Sequence, residues 1–241
     1  MSFDTNRENE IYSQEKHINR YPYGELISVF FNSLRFLNTK IQDKKDVSIL
    51  ELGCGTGNNL WFLSELGMNV FGIDGSKSAC EIANRLCDER NVQVNIINAH
   101  FDSLPFEDNK FDIIIDREST CSGTQENIKL WWQEANWVLK KGGLVISFKF
   151  SDDNPDLIRI KNNLLNATFI EENTYTDIKH GTFSDTGIVH FSTYNEIFDI
   201  FSFLDIKYIN KHSGHTVFDT CNNQYNYAEW VIVGVKKWVY L

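Results

Sequence analysis

The sequence predicts an α/β fold with a mostly parallel β-sheet. Apolar strand-like runs alternate with amphipathic helical segments between residues 47 and 148, and this alternation is typical of parallel strands joined by right-handed crossovers. Three glycines at alternate positions follow the first of these strands. The last two predicted strands, at 206–209 and 230–235, are joined by a loop without helical periodicity, so we expect them to be antiparallel.

Length and composition predict a single domain over residues 1–241. A chain of 241 residues is long enough to bury one large core. Its formal charge of −10 argues against nucleic acid or an anionic membrane as a partner, because phosphate groups attract basic surfaces. The first residues lack an apolar segment, and no run of about eighteen apolar residues occurs. We therefore expect a cytoplasmic protein that is a monomer or a homodimer.

The N-terminal arm is rich in tyrosine, including Tyr12, Tyr21 and Tyr23. It is either a surface helix and turn or a lid over a ligand, because tyrosines beside a proline-fixed turn suit both roles. The sequence divides into four segments: an arm and helix at 1–40, a core of alternating strands and helices at 47–150, an insertion at 151–192, and a C-terminal helix with two strands at 193–241.

A glycine-rich turn follows the first predicted strand. Gly53, Gly55 and Gly57 come directly after an apolar run that ends in Glu51 and Leu52. Glycine adopts positive φ and has no Cβ, so the backbone can turn sharply here and lie against a bound molecule. The helix predicted from Asn58 would direct its free N–H groups toward the same place. The pattern indicates a turn that binds a nucleotide-type cofactor.

The second strand and the next helix are predicted from their own patterns. The strand at 69–74 ends in Asp74, a carboxylate at the carboxyl end of a parallel strand. Ser78 and Glu81 have the spacing of a capping box, which predicts a helix start at this point. Asp74 lies 19 residues after Gly55, about the distance at which a second-strand acid reaches ribose hydroxyls.

The remaining core strands end in further polar residues. His100 and Phe101 follow the third predicted strand, and Asp116 and Arg117 follow the fourth. A helix over 128–139 is predicted to stop at two basic residues and two glycines, which are typical of a helix C-terminus. The third, fourth and fifth strands are predicted at 92–97, 111–116 and 144–148.

The alternating pattern stops after residue 150. The insertion at 151–192 is polar, aromatic and irregular, with strand-like pieces near 164–170 and 182–191. Regular structure resumes at Thr193 and Glu196, which form a second predicted capping box. The insertion lies beyond the fifth strand, so it is a candidate cap over an acceptor.

Two classes of cofactor fit a glycine turn in this architecture: dinucleotides and S-adenosylmethionine. A dinucleotide turn has the pattern G-x-G-x-x-G, and here Asn58 occupies the third glycine position. Glu51, immediately before the turn, would repel a pyrophosphate. It suits a cofactor that has an amino group and a sulfonium but no phosphate.

Four motifs in this order resemble the class I S-adenosylmethionine-dependent methyltransferases. The resemblance implies a Rossmann-like sheet of seven strands in the order 3-2-1-4-5-7-6, with the last strand antiparallel and helices on both faces. It also implies S-adenosylmethionine as the cofactor. The motifs are Glu51-Leu52-Gly53-Cys54-Gly55-Thr56-Gly57, Asp74, Leu104-Pro105-Phe106 with Phe111-Asp112, and Leu139-Lys140-Lys141-Gly142-Gly143.

The resemblance also implies a set of cofactor-binding residues. The turn and Glu51 would hold the methionine end, Asp74 the ribose, and residues 100–101 the adenine edge. His100 departs from the acid that many members have there; its neutral ring can accept a hydrogen bond, or Asp102 or the Phe101 backbone takes this role. The full set is Glu51, Gly53, Cys54, Gly55, Gly57, Asn58, Asp74, Gly75, His100, Phe101, Asp116 and Tyr21.

Three residues are candidates for catalysis. Asp116 is either a base, a ligand of the cofactor's amino group or a strand-end carboxylate that caps a turn. Arg117 either clamps a phosphate or carboxylate on the acceptor, or pairs with Glu118 or Asp116. His190 is either a general base or a partly buried strand histidine. No metal site is predicted, since the other histidines lack zinc-ligand spacing.

The acceptor is predicted to be a small molecule. The arm at 11–12 and 19–23 resembles methyltransferases of bacterial surface-carbohydrate pathways, which implies O-methylation of a sugar-derived or phosphorylated metabolite. An aliphatic hydroxyl acceptor would need a base, whereas an anionic acceptor would not. The alternatives are a protein or RNA acceptor and a catalytically silent subunit that binds the cofactor.

Overall fold

A computed structural model describes residues 9–10, 12, 18–37, 43–184, 186–216 and 226–238. Parts of the predicted arm and of the loop before the last strand therefore lie outside the described residues. In chain order, the helices and strands of the rest are α1 (Gly24–Ser33), β1 (Ser48–Leu52), α2 (Asn58–Glu65), β2 (Asn69–Asp74), α3 (Lys77–Asp88), β3 (Asn95–Asn98), β4 (Phe111–Arg117), α4 (Gln125–Val138), β5 (Leu139–Phe150), α5 (Pro155–Lys161), β6 (Thr168–Glu171), β7 (Thr174–Thr176), β8 (Val189–His190), α6 (Tyr194–Ile200), β9 (Leu204–Gly214) and β10 (Tyr227–Lys236).

The main sheet has seven strands in the order β3-β2-β1-β4-β5-β10-β9. The first five pair in parallel, and β10 runs antiparallel to both of its neighbours. Counted along the chain, the strands of this sheet have the order 3-2-1-4-5-7-6. This confirms the predicted strand order and the antiparallel last strand.

Helices cover both faces of the sheet. Neighbouring residues of a strand point to opposite faces, so Ile49 packs with α1 and α2 on one side, while Leu50 packs with α4 and α6 on the other. Both side chains are fully buried, and burying each contributes about 2 kcal/mol. Two apolar layers thus hold the sheet rigid beneath the loops at its edge.

Several element boundaries differ from the predictions. β3 starts at Asn95, and β5 starts at Leu139 because that residue already pairs with Phe111. β9 runs to Gly214, since its ladder with β10 continues to that residue. Tertiary pairing extends strands past the point where their apolar pattern ends.

One of the two predicted capping boxes is present. Thr193 and Glu196 cap α6 reciprocally, with Thr193 N donating to Glu196 Oε2 at 2.6 Å and Glu196 N donating to Thr193 Oγ1 at 3.3 Å. The box predicted from Ser78 and Glu81 is wrong. The N-cap of α3 is Ser76, whose Oγ accepts from Ala79 N at 3.2 Å.

The insertion at 151–192 contains α5 and a three-stranded sheet in the order β6-β7-β8. Both pairings in this sheet are antiparallel. The segment has an apolar cluster of its own, which includes Leu157, Phe183 and Phe191. It follows the carboxyl end of β5, the edge at which open parallel sheets bind ligands. Across the ranges described above, no helix has both the length and the apolar character needed to cross a bilayer.

Candidate active site

A cavity of about 350 Å³ lies beyond the carboxyl ends of β1, β2 and β4. Six of the predicted cofactor-binding or catalytic residues line it: Gly53, Asp74, Gly75, His100, Phe101 and Arg117. The wall is completed by Tyr12, Ala99, Asp102, Glu118, Ser119, Ser122, Asn127 and Trp131. The loops after several strands thus converge on one concave site, as the parallel topology requires.

The glycine turn brings the loop after β4 against the loop after β1. Gly53 has φ +66°, and a Cβ there would lie 2.2 Å from the Cβ of Ser119. Ser119 Oγ lies 2.5 Å from the carbonyl oxygen of Leu52. A side chain at position 53 would push these loops apart, so glycine is required for this part of the cavity wall. Gly55 and Gly57 also have positive φ.

Asp74 joins the turns that follow β1 and β2. Its Oδ2 accepts from Gly55 N at 2.9 Å, and its Oδ1 accepts from Ser76 N at 2.8 Å. Burial raises the pKa of this carboxyl, while the two backbone N–H groups oppose the rise. The carboxylate lines the cavity, so it can accept hydrogen bonds from ligand hydroxyls there.

Glu51 is a buried acid whose hydrogen bonding is incomplete. Its Oε1 accepts from Asn59 Nδ2 at 2.7 Å, whereas Oε2 is buried without a hydrogen-bond partner among the described residues. Burial, with smaller contributions from nearby Asp116 and Asp74, raises the pKa of Glu51 to about 8. An unpaired buried oxygen is costly unless a ligand supplies a donor.

The residues present fit S-adenosylmethionine. Gly53 leaves room that a Cβ would fill, Asp74 offers carboxylate oxygens at the cavity, and Glu51 Oε2 lacks a donor. The methionine amino group of this cofactor is a donor of the required kind, and its ribose hydroxyls match Asp74. Cys54, Gly55, Gly57 and Asn58 shape the turn without lining the cavity, and the buried Glu51 is also absent from its lining.

The arm is bound to this turn through its backbone. Tyr21 is exposed, and its carbonyl oxygen accepts from Asn58 Nδ2 at 3.0 Å, so its backbone rather than its ring contacts the turn. Tyr23 N donates to Asn59 Oδ1 at 3.0 Å. Asn59 therefore connects the arm to Glu51. This residue was missed by the sequence analysis, although a polar residue in the buried first turn of a helix is a usable signal.

Asp116 lies outside the cavity wall. It is fully buried and lies 3.6 Å from Lys149 Nζ. Its carboxylate accepts from Ser119 Oγ at 2.6 Å, Thr120 N at 3.0 Å, Thr120 Oγ1 at 2.7 Å and Ser147 Oγ at 2.7 Å. With four donors in place, this carboxylate holds the turn after β4, as the capping interpretation of its sequence position predicted.

Arg117 and Glu118 form an ion pair in the cavity wall. The Arg117 guanidinium also lies 3.8 Å from the centroid of the Tyr23 ring, and its Nη2 lies 3.9 Å from Glu229 Oε2. Tyr23 Oη donates to Glu229 Oε1 at 3.2 Å. Burial raises the pKa of Glu229, and the adjacent Arg117 opposes that rise. The arm therefore contacts both the glycine turn and Arg117, and it holds each of them in place.

One side of the cavity has an aromatic wall. Phe101 and Trp131 meet edge to face, with ring centroids 5.3 Å apart. Trp131 Nε1 donates to Asp102 Oδ1 at 2.5 Å, so this carboxylate orients the indole. His100 lies beside them in the wall, where the sequence predicted an acceptor for an adenine amino group. Trp131 comes from α4, and the sequence analysis did not identify it as a site residue.

His190 is not brought to the cavity. It lies in β8, is fully buried, and its Nδ1 is 2.7 Å from Thr174 Oγ1. Its Nε2 lies 3.7 Å from Glu196 Oε2. Because β8 pairs with β7 in the separate sheet, its side chain belongs to the interior of the insertion. These surroundings are those of a buried strand histidine, the second of the two interpretations of His190.

The insertion meets the site only at its rim. Described residues of 151–192 are absent from the cavity wall, but Glu171 Oε1 accepts from Gln125 N at 2.6 Å at the start of α4. Asn127, two residues further along α4, lines the cavity. A role for the insertion as an acceptor cap stays a prediction. Among the residues that the structure describes, no group of three or more acids, histidines or cysteines could hold a metal ion.

Comparisons with known proteins agree with this architecture. A family model described as a methyltransferase domain matches residues 49–143. A structure of an S-adenosylmethionine-dependent methyltransferase from Methanosarcina mazei superposes with a TM-score of 0.66 at 18% identity, covering 90% of this chain and 99% of that one. At this identity the structural likeness supports the fold alone.

Two curated relatives share shorter stretches. A tRNA N(3)-methylcytidine methyltransferase of Drosophila melanogaster is 43% identical over 76 residues, which are 28% of this chain and 23% of the relative. A demethylmenaquinone methyltransferase of Tropheryma whipplei is 33% identical over 104 residues, 43% of this chain and 41% of the relative. The chain thus spans less than half the length of these relatives. Residues 49–143 thus match the methyltransferase domain family, and the glycine turn, Asp74 and the strand order are similar to those of class I S-adenosylmethionine-dependent methyltransferases.

Proposed function

We propose that this protein transfers the methyl group of S-adenosylmethionine to a small-molecule acceptor. The observation that carries the proposal is the single cavity that joins Asp74, at the cofactor side, to Arg117 and Glu118, at the end of β4. A site of about 350 Å³ lies within the range of small-molecule pockets. It is concave and walled by aromatic and charged side chains.

In this proposal the chain's residues divide the binding work. Asp74 accepts from ribose hydroxyls, Glu51 accepts from the methionine amino group, and His100 and Phe101 meet the adenine. The cofactor supplies an electrophilic methyl group on a sulfonium. The protein's part is to align the acceptor with that methyl group and to exclude water from both.

We propose a sugar-derived hydroxyl compound, with or without a phosphate, as the acceptor. Neither Asp116 nor His190 faces the cavity, so Glu118 is the carboxylate at the end of β4 that can accept a hydrogen bond from such a hydroxyl. The short resemblance of residues 11–12 and 19–23 to carbohydrate-pathway methyltransferases also favours this class. Protein acceptors find less support, because the site is a concave pocket rather than an extended groove.

The test is an acceptor screen with two readouts. Thermal shifts are measured in S-adenosylhomocysteine against methyl α-D-glucopyranoside, UDP-glucose and glucose 6-phosphate, since a true acceptor stabilises the folded protein by mass action. Formation of S-adenosylhomocysteine from S-adenosylmethionine is then followed by mass spectrometry for each compound that binds. Asp74→Ala serves as the control with an impaired cofactor site. Binding of the cofactor without turnover of any neutral or phosphorylated sugar in the panel would favour the silent subunit instead.

A tRNA acceptor is the second candidate, and the Drosophila relative is the observation in its favour. RNA binding needs a basic surface, whereas this chain has 33 acidic and 23 basic residues. Incubation with total tRNA and methyl-labelled cofactor tests it directly. Label in tRNA, with no label in the sugar panel, would replace the small-molecule proposal.

A further inference from the structure

Glu118 occupies a strained backbone conformation at the cavity. Its φ is +61° and its ψ is 6°. These angles lie in the left-handed region, which is energetically unfavourable for every residue except glycine. It is the N-cap of a short 3-10 turn at Ser119–Cys121, yet its side chain makes no capping hydrogen bond. The strained residue therefore does not serve the turn through its carboxylate. Its side chain lines the cavity instead.

The partner of this carboxylate is Arg117. The guanidinium lies on the Tyr23 ring, near Glu229 Oε2 on one side and paired with Glu118 on the other. Arg117 Nε is buried without a hydrogen-bond partner among the described residues. The arginine thus has an unused donor, but its positive charge is already matched by two carboxylates.

An unmatched arginine at this place would attract phosphate. Its planar fork binds phosphate oxygens in pairs, and sugar phosphates are common anionic metabolites. Here Glu118 stands beside it in the same wall, with Asp74 and Asp102 as further acids. A phosphate that approached Arg117 would meet Glu118, and like charges in a partly buried site repel strongly.

We propose that Glu118 is a specificity residue that keeps anionic groups away from Arg117. The inference rests on the proposed function, and it narrows the acceptor to compounds whose reacting end is neutral or cationic. A phosphate on the acceptor then lies outside the cavity. Discrimination of this kind arises from a group that repels the wrong ligand, not only from contacts with the right one.

The experiment uses inorganic phosphate as the probe. Phosphate is titrated calorimetrically into the full-length protein and into Glu118→Gln and Glu118→Gly, at constant ionic strength set with sodium chloride. We expect both variants to bind phosphate at least tenfold more tightly than the parent protein. The double variant Arg117→Gln/Glu118→Gln should lose this gain, because the gain comes from the released guanidinium.

Asp177→Gly is the matched control. Asp177 is an exposed acid with φ +51° in the insertion and is absent from the cavity wall, so its change to glycine removes the same charge and the same kind of strain. It should leave phosphate binding unchanged. Glu118→Gln keeps the side-chain length, so it remains informative if Glu118→Gly does not fold.

Two outcomes would overturn the inference: equal phosphate affinity in the parent protein and both Glu118 variants, or an equal gain in Asp177→Gly. The titrations contain neither cofactor nor acceptor. Their result is therefore independent of methyl transfer, and a failure of the proposed function would be seen only as absent S-adenosylhomocysteine formation.

Discussion

The buried carboxylates at the ends of β1 and β4 have opposite surroundings. These strands are neighbours, with Leu52 opposite Asp116 and Glu51 opposite Ile115. Asp116 accepts four hydrogen bonds and lies near Lys149. Glu51 accepts one, and its second oxygen has no partner in the described chain. Two acids at the same edge of one sheet thus differ in whether a carboxylate oxygen is left without a hydrogen-bond partner.

The difference shows that burial by itself does not identify a functional acid. A saturated carboxylate is structural, because every oxygen is committed to holding a turn. An acid with an unpaired buried oxygen lowers the stability of the free protein, but that oxygen can accept a hydrogen bond from a ligand. Asp116 stabilises the loop that contains Glu118 and Ser119, whereas Glu51 Oε2 lacks a hydrogen-bond donor among the described residues. Substitutions of Asp116, Glu51 and residues around the site test this contrast.

The largest expected effect is on stability, from Asp116→Ala. The substitution leaves Lys149 fully buried without its carboxylate, and removal of one partner of a buried ion pair costs about 3–5 kcal/mol. Urea unfolding followed by circular dichroism measures the loss. Asp112→Ala is the control, since Asp112 is also buried but its partner Lys140 is partly exposed and can be hydrated. Equal losses in the two variants would show that the Asp116 network is not special.

Asp74→Ala should have the next largest effect, on cofactor affinity. The variant loses a carboxylate at the cavity and the acceptor for Gly55 N and Ser76 N. Hydrogen bonds to charged groups contribute about 1.5–3 kcal/mol, so the Kd for S-adenosylmethionine should rise by about 10–100-fold. Calorimetric titration provides the measurement, with Asp74→Asn separating the charge from the hydrogen bonds. Unchanged affinity in Asp74→Ala would remove Asp74 from ribose binding.

Local patterns in the sequence were sufficient for the fold and for part of the site. The apolar runs located the strands of the main sheet, and residues at strand ends, such as Asp74 and His100, were placed correctly at the cavity. The role of Asp116 depends on donors from residues 119, 120 and 147, and Ser147 meets it only after β4 and β5 pair. Sequence position shows that a carboxylate ends a strand, but not how many donors surround it.

His190 illustrates a second limit of the sequence. Its neighbours predicted a strand but not the sheet to which that strand belongs. β8 has two residues and pairs with β7, so the ring lies inside the insertion instead of over the cofactor. The contacts of Asn59 and Glu229 likewise join segments far apart in the chain. Such contacts leave no local periodicity.

His190→Ala should have a smaller effect, confined to stability. The variant loses the contact of Nδ1 with Thr174 Oγ1 and leaves a small cavity, which together cost about 2 kcal/mol. The turnover number per folded molecule should stay within about twofold of the parent protein, because the ring does not face the cavity. Val189→Ala, in the same strand, is the control for stability. A tenfold lower turnover number at unchanged cofactor affinity would return His190 to the mechanism.

The last expected effect is on the pH dependence of stability, from Glu51→Gln. Burial raises the pKa of Glu51 from its ordinary value of 4.5 to about 8, so between these values the folded protein keeps a proton that the unfolded chain has lost. The free energy of unfolding should therefore fall as pH rises from about 4.5 to 8, by at most about 1.4 kcal/mol per pH unit, and level off above 8. Glu51→Gln cannot ionise and lacks this slope. Urea unfolding of both proteins between pH 5 and 9 gives the difference curve. A flat difference would mean that Glu51 is ionised in the folded protein. Glu51 Oε2 would then already accept a hydrogen bond, and the contrast drawn here between Glu51 and Asp116 would be wrong.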